Sequence, residues 1–215
     1  MPTLQTCMHP GVAQQTPSSY RRNRSAHLRQ GDLTSSSGTL AILMAMIVLG
    51  IASKPYVRRL RIADEGDLLV PLWSKARETY FSGADHDDML GFLDTVELYV
   101  HRQSATGSMR KVLAFTLARL AENDVVVLGF GDEGVPGPYH WSLAVGTESR
   151  VTGVKRTATC VLCLDTLEAA PTLSRYNARL ELDSPRRGAR QIHYRGADGR
   201  PLLMTCTSAI ALSRR

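Results

Sequence analysis

Cysteine is scarce in this chain, and so are aromatic residues and long apolar runs. Four cysteines among 215 residues (Cys7, Cys160, Cys163 and Cys206) are too few and too scattered for a disulfide framework. Cys160 and Cys163 form a C-x-x-C, but within Thr159-Cys-Val-Leu-Cys-Leu164, which reads as a strand. Residues three apart on a strand face opposite sides. No second C-x-x-C supplies the remaining ligands of a zinc site. Buried free thiols are therefore expected, with no metal and no cofactor. The uncharged apolar run over residues 38–52 is shorter than the roughly 20 residues that span a bilayer, so it predicts a core helix. The first 28 residues lack the apolar stretch of a secretory signal. The expectation is a cytoplasmic protein without a membrane partner. There is no internal repeat and no G-x-S-x-G elbow for a serine nucleophile. The net charge of +6 comes from bases scattered among acids, with no aromatic-interleaved basic stripe, which argues against a nucleic-acid partner.

What is present fits one globular domain with a tail. Residues 1–28 are rich in Gln, Ser, Thr, Pro and Arg without periodicity, and predict a flexible basic arm. Residues 29–215 form the domain. Residues 37–52 predict a helix that is apolar nearly all round and so buried, with Ser35, Ser36 and Ser37 as N-cap candidates. Further helices are expected over Lys54–Arg61, Pro71–Phe81, Asp85–His101 and the amphipathic Ser108–Ala121. After Asn123-Asp124 the pattern changes. Val125–Phe130, Tyr139–Gly146, Thr159–Leu164, Ala178–Leu182 and Gln191–Tyr194 read as strands, and Asp198-Gly199 as a hairpin turn. Helices followed by an antiparallel sheet give an α+β fold.

One constellation carries chemistry. Gln30-Gly31-Asp32-Leu33-Thr34-Ser35-Ser36-Ser37-Gly38 runs directly into the apolar helix. His140 and Asp165 follow, each within an apolar strand-like run. A nucleophile at a helix N-terminus gains from the helix field, and a nearby imidazole takes its proton. A carboxylate orients that imidazole, and an amide such as Gln30 can receive the oxyanion that forms on an attacked carbonyl. Ser37, His140, Asp165 and Gln30 are the candidate residues for those roles.

The order Gln30-Gly-Asp-Leu-x-x-x-Ser37-Gly38, His140-Trp141, Leu164-Asp165 resembles the bacterial papain-like cysteine peptidases related to the bacteriocin-leader (double-glycine) peptidases. Their motif reads Gln-Gly-Asp-Leu-x-x-x-Cys-Gly. The resemblance covers roughly residues 28–50 and 138–168. It implies a papain-like fold, with a central nucleophile helix packed on the C-terminal sheet. It also implies thiolate attack on an amide of a peptide or protein substrate. Ser37 stands where that motif has its cysteine. Either the chain is a Cys→Ser form of an active enzyme, or it is a pseudoenzyme that binds without turnover. The intact remainder of the set favours the former. A deamidase or acyltransferase with the same triad begins with the same step and is the further alternative.

Taken singly, each residue has a plainer explanation. Gln30 could be an ordinary loop residue, Ser37 a helix cap, His140 a strand-end histidine and Asp165 the start of a turn. Only the ordered set raises the chemistry above these. The other histidines receive no role: His9 and His27 fall in the arm, His86 and His101 at helix ends, His193 on a peripheral strand. Asp85, Asp87 and Asp88 suggest an acidic helix start rather than a metal cluster. The pocket is expected from the 54–136 region, with Gly131–Pro138 as its rim. Substrate specificity and oligomeric state have no sequence signal.

Overall fold

The structure, a computed structural model, describes residues 2–13, 25–31, 36–60, 67–131, 140–171, 174–183 and 191–215. It begins with strand β1 (Thr3–Met8) and the short helix α1 (Pro10–Ala13). The helices α2 (Ser37–Val48), α3 (Lys54–Arg59), α4 (Val70–Ala76) and α5 (His86–Asp94) follow, with a 3-10 turn over Arg77–Thr79. Strand β2 (Val100–Thr106) and helix α6 (Met109–Ala121) lead into β3 (Val125–Phe130), β4 (His140–Thr152) and β5 (Lys155–Asp165). Strands β6 (Ala178–Glu181), β7 (Ile192–Arg195), β8 (Pro201–Met204) and β9 (Cys206–Arg214) complete the chain. The molecule is thus α+β, and every strand pair is antiparallel.

The sheet runs β2-β9-β3-β4-β5-β6-β7-β8. The first half of the long strand β4 pairs with β3, from His140 to Ala144. Its second half pairs with β1, from Gly146 to Val151. Alternation through β3 divides two cores. Val125 and Val127 pack on the α2 side, with Trp141, Leu143 and Leu164. Val126, Leu128 and Phe130 pack on the α6 side, with Val112, Cys163 and Tyr194. A strand buried on both faces needs a continuous apolar run, and Val-Val-Val-Leu-Gly-Phe supplies one.

Helix α2 is buried nearly all round, with Ile42, Met44 and Met46 fully inaccessible. Each such side chain removed from water stabilises the fold by about 1.5–3 kcal/mol. The helix stops before Gly50, whose positive φ of 69° suits a residue without Cβ. Ser36 takes the N-cap position without a side-chain cap bond. Asp85 and Asp88 form a reciprocal capping box that starts α5, so the acidic trio serves as a helix start. All four cysteines are free; Cys160, Cys163 and Cys206 are buried. No described helix is long and apolar enough to cross a membrane.

Three expectations need correction. Residues 1–28 are not an unpaired arm where the structure describes them. Thr3–Met8 is a strand on β4, and Val12, Ala26, His27 and Leu28 are buried. The polar composition hides this because β1 is held through its backbone while most of its side chains stay exposed. The helix expected over Asp85–His101 ends at Asp94, and Val100–Thr106 is an edge strand paired with β9. Its partner lies more than 100 residues downstream, so no local signal marks it. Helices therefore do not simply precede the sheet; β1 and β2 come from the N-terminal half. Residues 14–24, 32–35 and 132–139 lie outside the described residues, and with them Arg21, Arg22 and Arg24 of the arm and all of the Gly131–Pro138 rim except Gly131.

Candidate active site

Ser37 is the first residue of α2 and is buried. Its Oγ accepts the backbone N–H of Trp141 at 3.2 Å. Covalent geometry then puts the hydroxyl within about 6 Å of the His140 Cα. Two glycines make this approach possible. A Cβ on Gly38 would stand 2.6 Å from Met89 Sδ and 3.1 Å from Trp141 Cδ1. A Cβ on Gly129 would stand 2.8 and 2.9 Å from the Trp141 ring and 3.1 Å from the Ser208 Cβ. The indole is fully buried, and its Nε1–H donates to the Ala84 carbonyl at 2.8 Å. Trp141 thereby locks the start of β4 against the tip of α2.

His140, one residue earlier, is half-buried at the start of β4. Its Nε2–H donates to Asp165 Oδ2 at 2.8 Å. An ionised carboxylate only accepts, so Nε2 carries a proton, and Nδ1 is the nitrogen left to exchange one. The imidazole lies nearly parallel to Phe130, with centroids 6.1 Å apart. It meets Tyr194 edge-on at 6.5 Å.

Asp165 ends β5 and is buried. Every polar group it has is engaged. Oδ1 accepts the Leu167 N–H at 2.8 Å. Oδ2 accepts from both His140 and the Tyr194 hydroxyl. Its backbone N–H and C=O pair with the Asn177 amide at 2.7 and 2.8 Å. The His27 Nε2–H donates to the same carbonyl at 2.8 Å. Burial alone would push the Asp165 carboxyl up. The hydrogen bond and charge of His140, with the Tyr194 and Leu167 donors, outweigh burial and hold it below the usual carboxylate range. Burial keeps His27 below the ordinary histidine range, more than the Asp165 carbonyl restores, so its ring is neutral at pH 7.

Gln30 stands on the Asp165 side. Its backbone N–H donates to the Thr166 carbonyl at 2.8 Å, and the Thr166 hydroxyl donates to its Oε1 at 3.2 Å. The fold therefore joins His140 to Asp165 directly, Ser37 to His140 through the Trp141 peptide, and Gln30 to Asp165 through Thr166. Among the described residues no hydrogen bond links Ser37 Oγ to the His140 ring. Also among the described residues, no group of three or more His, Cys, Asp or Glu could hold a metal ion.

Sequence reasoning misses His27, Asn177 and Tyr194. His27 sits in a polar segment that reads as disordered. Asn177 carries no pattern. Tyr194 had one available signal: alternation in Gln191–Tyr194 puts Ile192 and Tyr194 inward, and a buried phenol requires an acceptor.

Compared with known proteins, the chain matches no family model and no curated protein.

Proposed function

We propose that this chain carries the site of a papain-like cysteine hydrolase whose nucleophile position is occupied by Ser37. One observation carries the reading. The His140–Asp165 pair, bonded at 2.8 Å, opens onto the peptide that holds Ser37 Oγ at the tip of a buried helix. With cysteine at that tip, the helix field and the Trp141 N–H stabilise a thiolate, and His140 Nδ1 takes the proton. The thiolate attacks the carbonyl carbon of a peptide or protein substrate. The oxygen turns into an oxyanion received by the Gln30 amide and the backbone N–H of position 37. Collapse expels the amine, which takes its proton from His140. Water, activated by the same imidazole, then releases the acyl group. No cofactor enters this sequence.

With Ser37 the chemistry stops at binding. A hydroxyl is far less acidic than a thiol, and this one is already used as the acceptor of the Trp141 N–H. That use favours a second reading, in which the chain is a pseudoenzyme that holds a peptide in the old cleft. The test is Ser37→Cys, incubated with a peptide library and followed by mass spectrometry beside the unchanged chain. The hydrolase reading expects new cleavage fragments from Ser37→Cys alone. A one-dalton gain in intact peptides would assign a deamidase instead. Peptide binding by both chains with no product from either would assign the pseudoenzyme.

A further inference from the structure

We propose that Tyr194 is a positioning residue for His140, acting through the carboxylate oxygen that the two side chains share. The proposal rests on the reading of His140 as the base. It stands on geometry that this reading did not use. The Tyr194 hydroxyl donates to Asp165 Oδ2, the oxygen that also accepts from His140 Nε2. Its ring meets Phe130 at 5.2 Å and 62°, and His140 at 6.5 Å and 80°. Tyr194 is thus one wall of the imidazole's box and also a ligand of the imidazole's partner.

Register explains the placement. Tyr194 lies opposite Leu180 on β6, and β6 pairs with β5 short of Asp165. The carboxylate therefore emerges beyond the last β5–β6 pair, where the phenol reaches it. Asp165 has about four acceptor sites on its two oxygens. Leu167 N–H takes one on Oδ1, and His140 and Tyr194 take two on Oδ2. A carboxylate held this way cannot rotate out of line with His140. A second donor on the shared oxygen also draws charge from it, which weakens its pull on the imidazole. Burial and the Asp165 charge push the phenol well above its ordinary range, so it remains a donor throughout neutral pH. The titratable groups facing Asp165 are His140 from β4, Tyr194 from β7, Cys163 from β5 and His27 from the segment before Gln30.

The test compares Tyr194→Phe with replacement of Tyr194 by 3-fluorotyrosine, which keeps the shape and makes a stronger donor. Two readouts are taken. The first is the carbon-13 titration of the Asp165 carboxyl in the chain with Ser37 in place. The second is the pH profile of iodoacetamide alkylation in the Ser37→Cys background. Tyr194→Phe should raise the Asp165 midpoint by about one pH unit, and fluorotyrosine should lower it. The alkylation profile should likewise move in opposite directions for the two replacements. A tyrosine that only fills space would change thermal stability and leave both midpoints where they were, and that result overturns the proposal. If Tyr194→Phe does not fold, the fluorotyrosine chain alone decides. Slow alkylation in the Ser37→Cys parent would sink the hydrolase reading, while the Asp165 titration still decides whether Tyr194 tunes the carboxylate.

Discussion

Ser37→Cys should be alkylated by iodoacetamide at pH 7 at least ~100-fold faster than Cys160, Cys163 or Cys206 in the same chain. The contrast arises from both sides. Burial pushes the Cys160 thiol up, and the Cys163 thiol further. Burial pushes Cys206 up to about 12, despite a hydrogen bond with the Ser208 backbone that favours the thiolate. At neutral pH these thiols hold almost no thiolate, and the thiolate is the reacting form. Position 37 has the opposite surroundings: the start of a 12-residue helix, a backbone N–H already aimed at the side-chain atom, and His140 one residue from that N–H. Adding His140→Ala should slow the labelling by about 10-fold or more, because the proton then has no nearby acceptor. Peptide mapping by mass spectrometry identifies the labelled cysteine, with the half-buried Cys7 as an internal reference. Equal labelling of the four buried positions would remove the basis for a nucleophile at Ser37.

Trp141→Ala should destabilise the fold by about 3–5 kcal/mol in urea unfolding, the range for deleting a buried aromatic side chain. The indole is fully buried and fills space that Gly38 and Gly129 leave open. Neither glycine can move in to close the gap, since each lies on a different rigid element. The same variant should lose the fast labelling in the Ser37→Cys background, because the contact between α2 and β4 runs through this ring. Trp141→Phe separates the two effects. It retains most of the apolar volume and loses the 2.8 Å bond to the Ala84 carbonyl, a loss of about 1 kcal/mol. A small change in the midpoint for Trp141→Ala would mean that the two glycines, not the indole, set the geometry.

The parts of this site that are legible in the sequence are those whose signals are local. Ser37 precedes an apolar helix, His140-Trp141 opens a strand, and Asp165 closes the next one. Each boundary is visible within a window of about ten residues. The α+β class follows from the same windows. What stays hidden depends on partners distant in sequence. Val100–Thr106 is polar and becomes a strand only because β9 lies beside it. β9 itself separates β2 from β3, although its serines and threonines interrupt the apolar pattern. Thr3–Met8 is recruited by the far half of β4 through backbone bonds that any sequence could make. His27 and Asn177 meet at the Asp165 carbonyl from positions 138 and 12 residues away. Nothing near either residue announces that meeting. The motif thus names the proposed site residues, and the long-range pairing supplies what holds His140 and Asp165 still.

In the proposed hydrolase, a nucleophile at position 37 and the imidazole of His140 work as one unit. A crystal structure of Ser37→Cys measures this directly, through the separation of Sγ from His140 Nδ1. The expected separation is about 4 Å or less, with Nδ1 turned toward the sulfur and Nε2 still bonded to Asp165. A ring that presents its edge to solvent, with sulfur and nitrogen beyond about 6 Å, would contradict it.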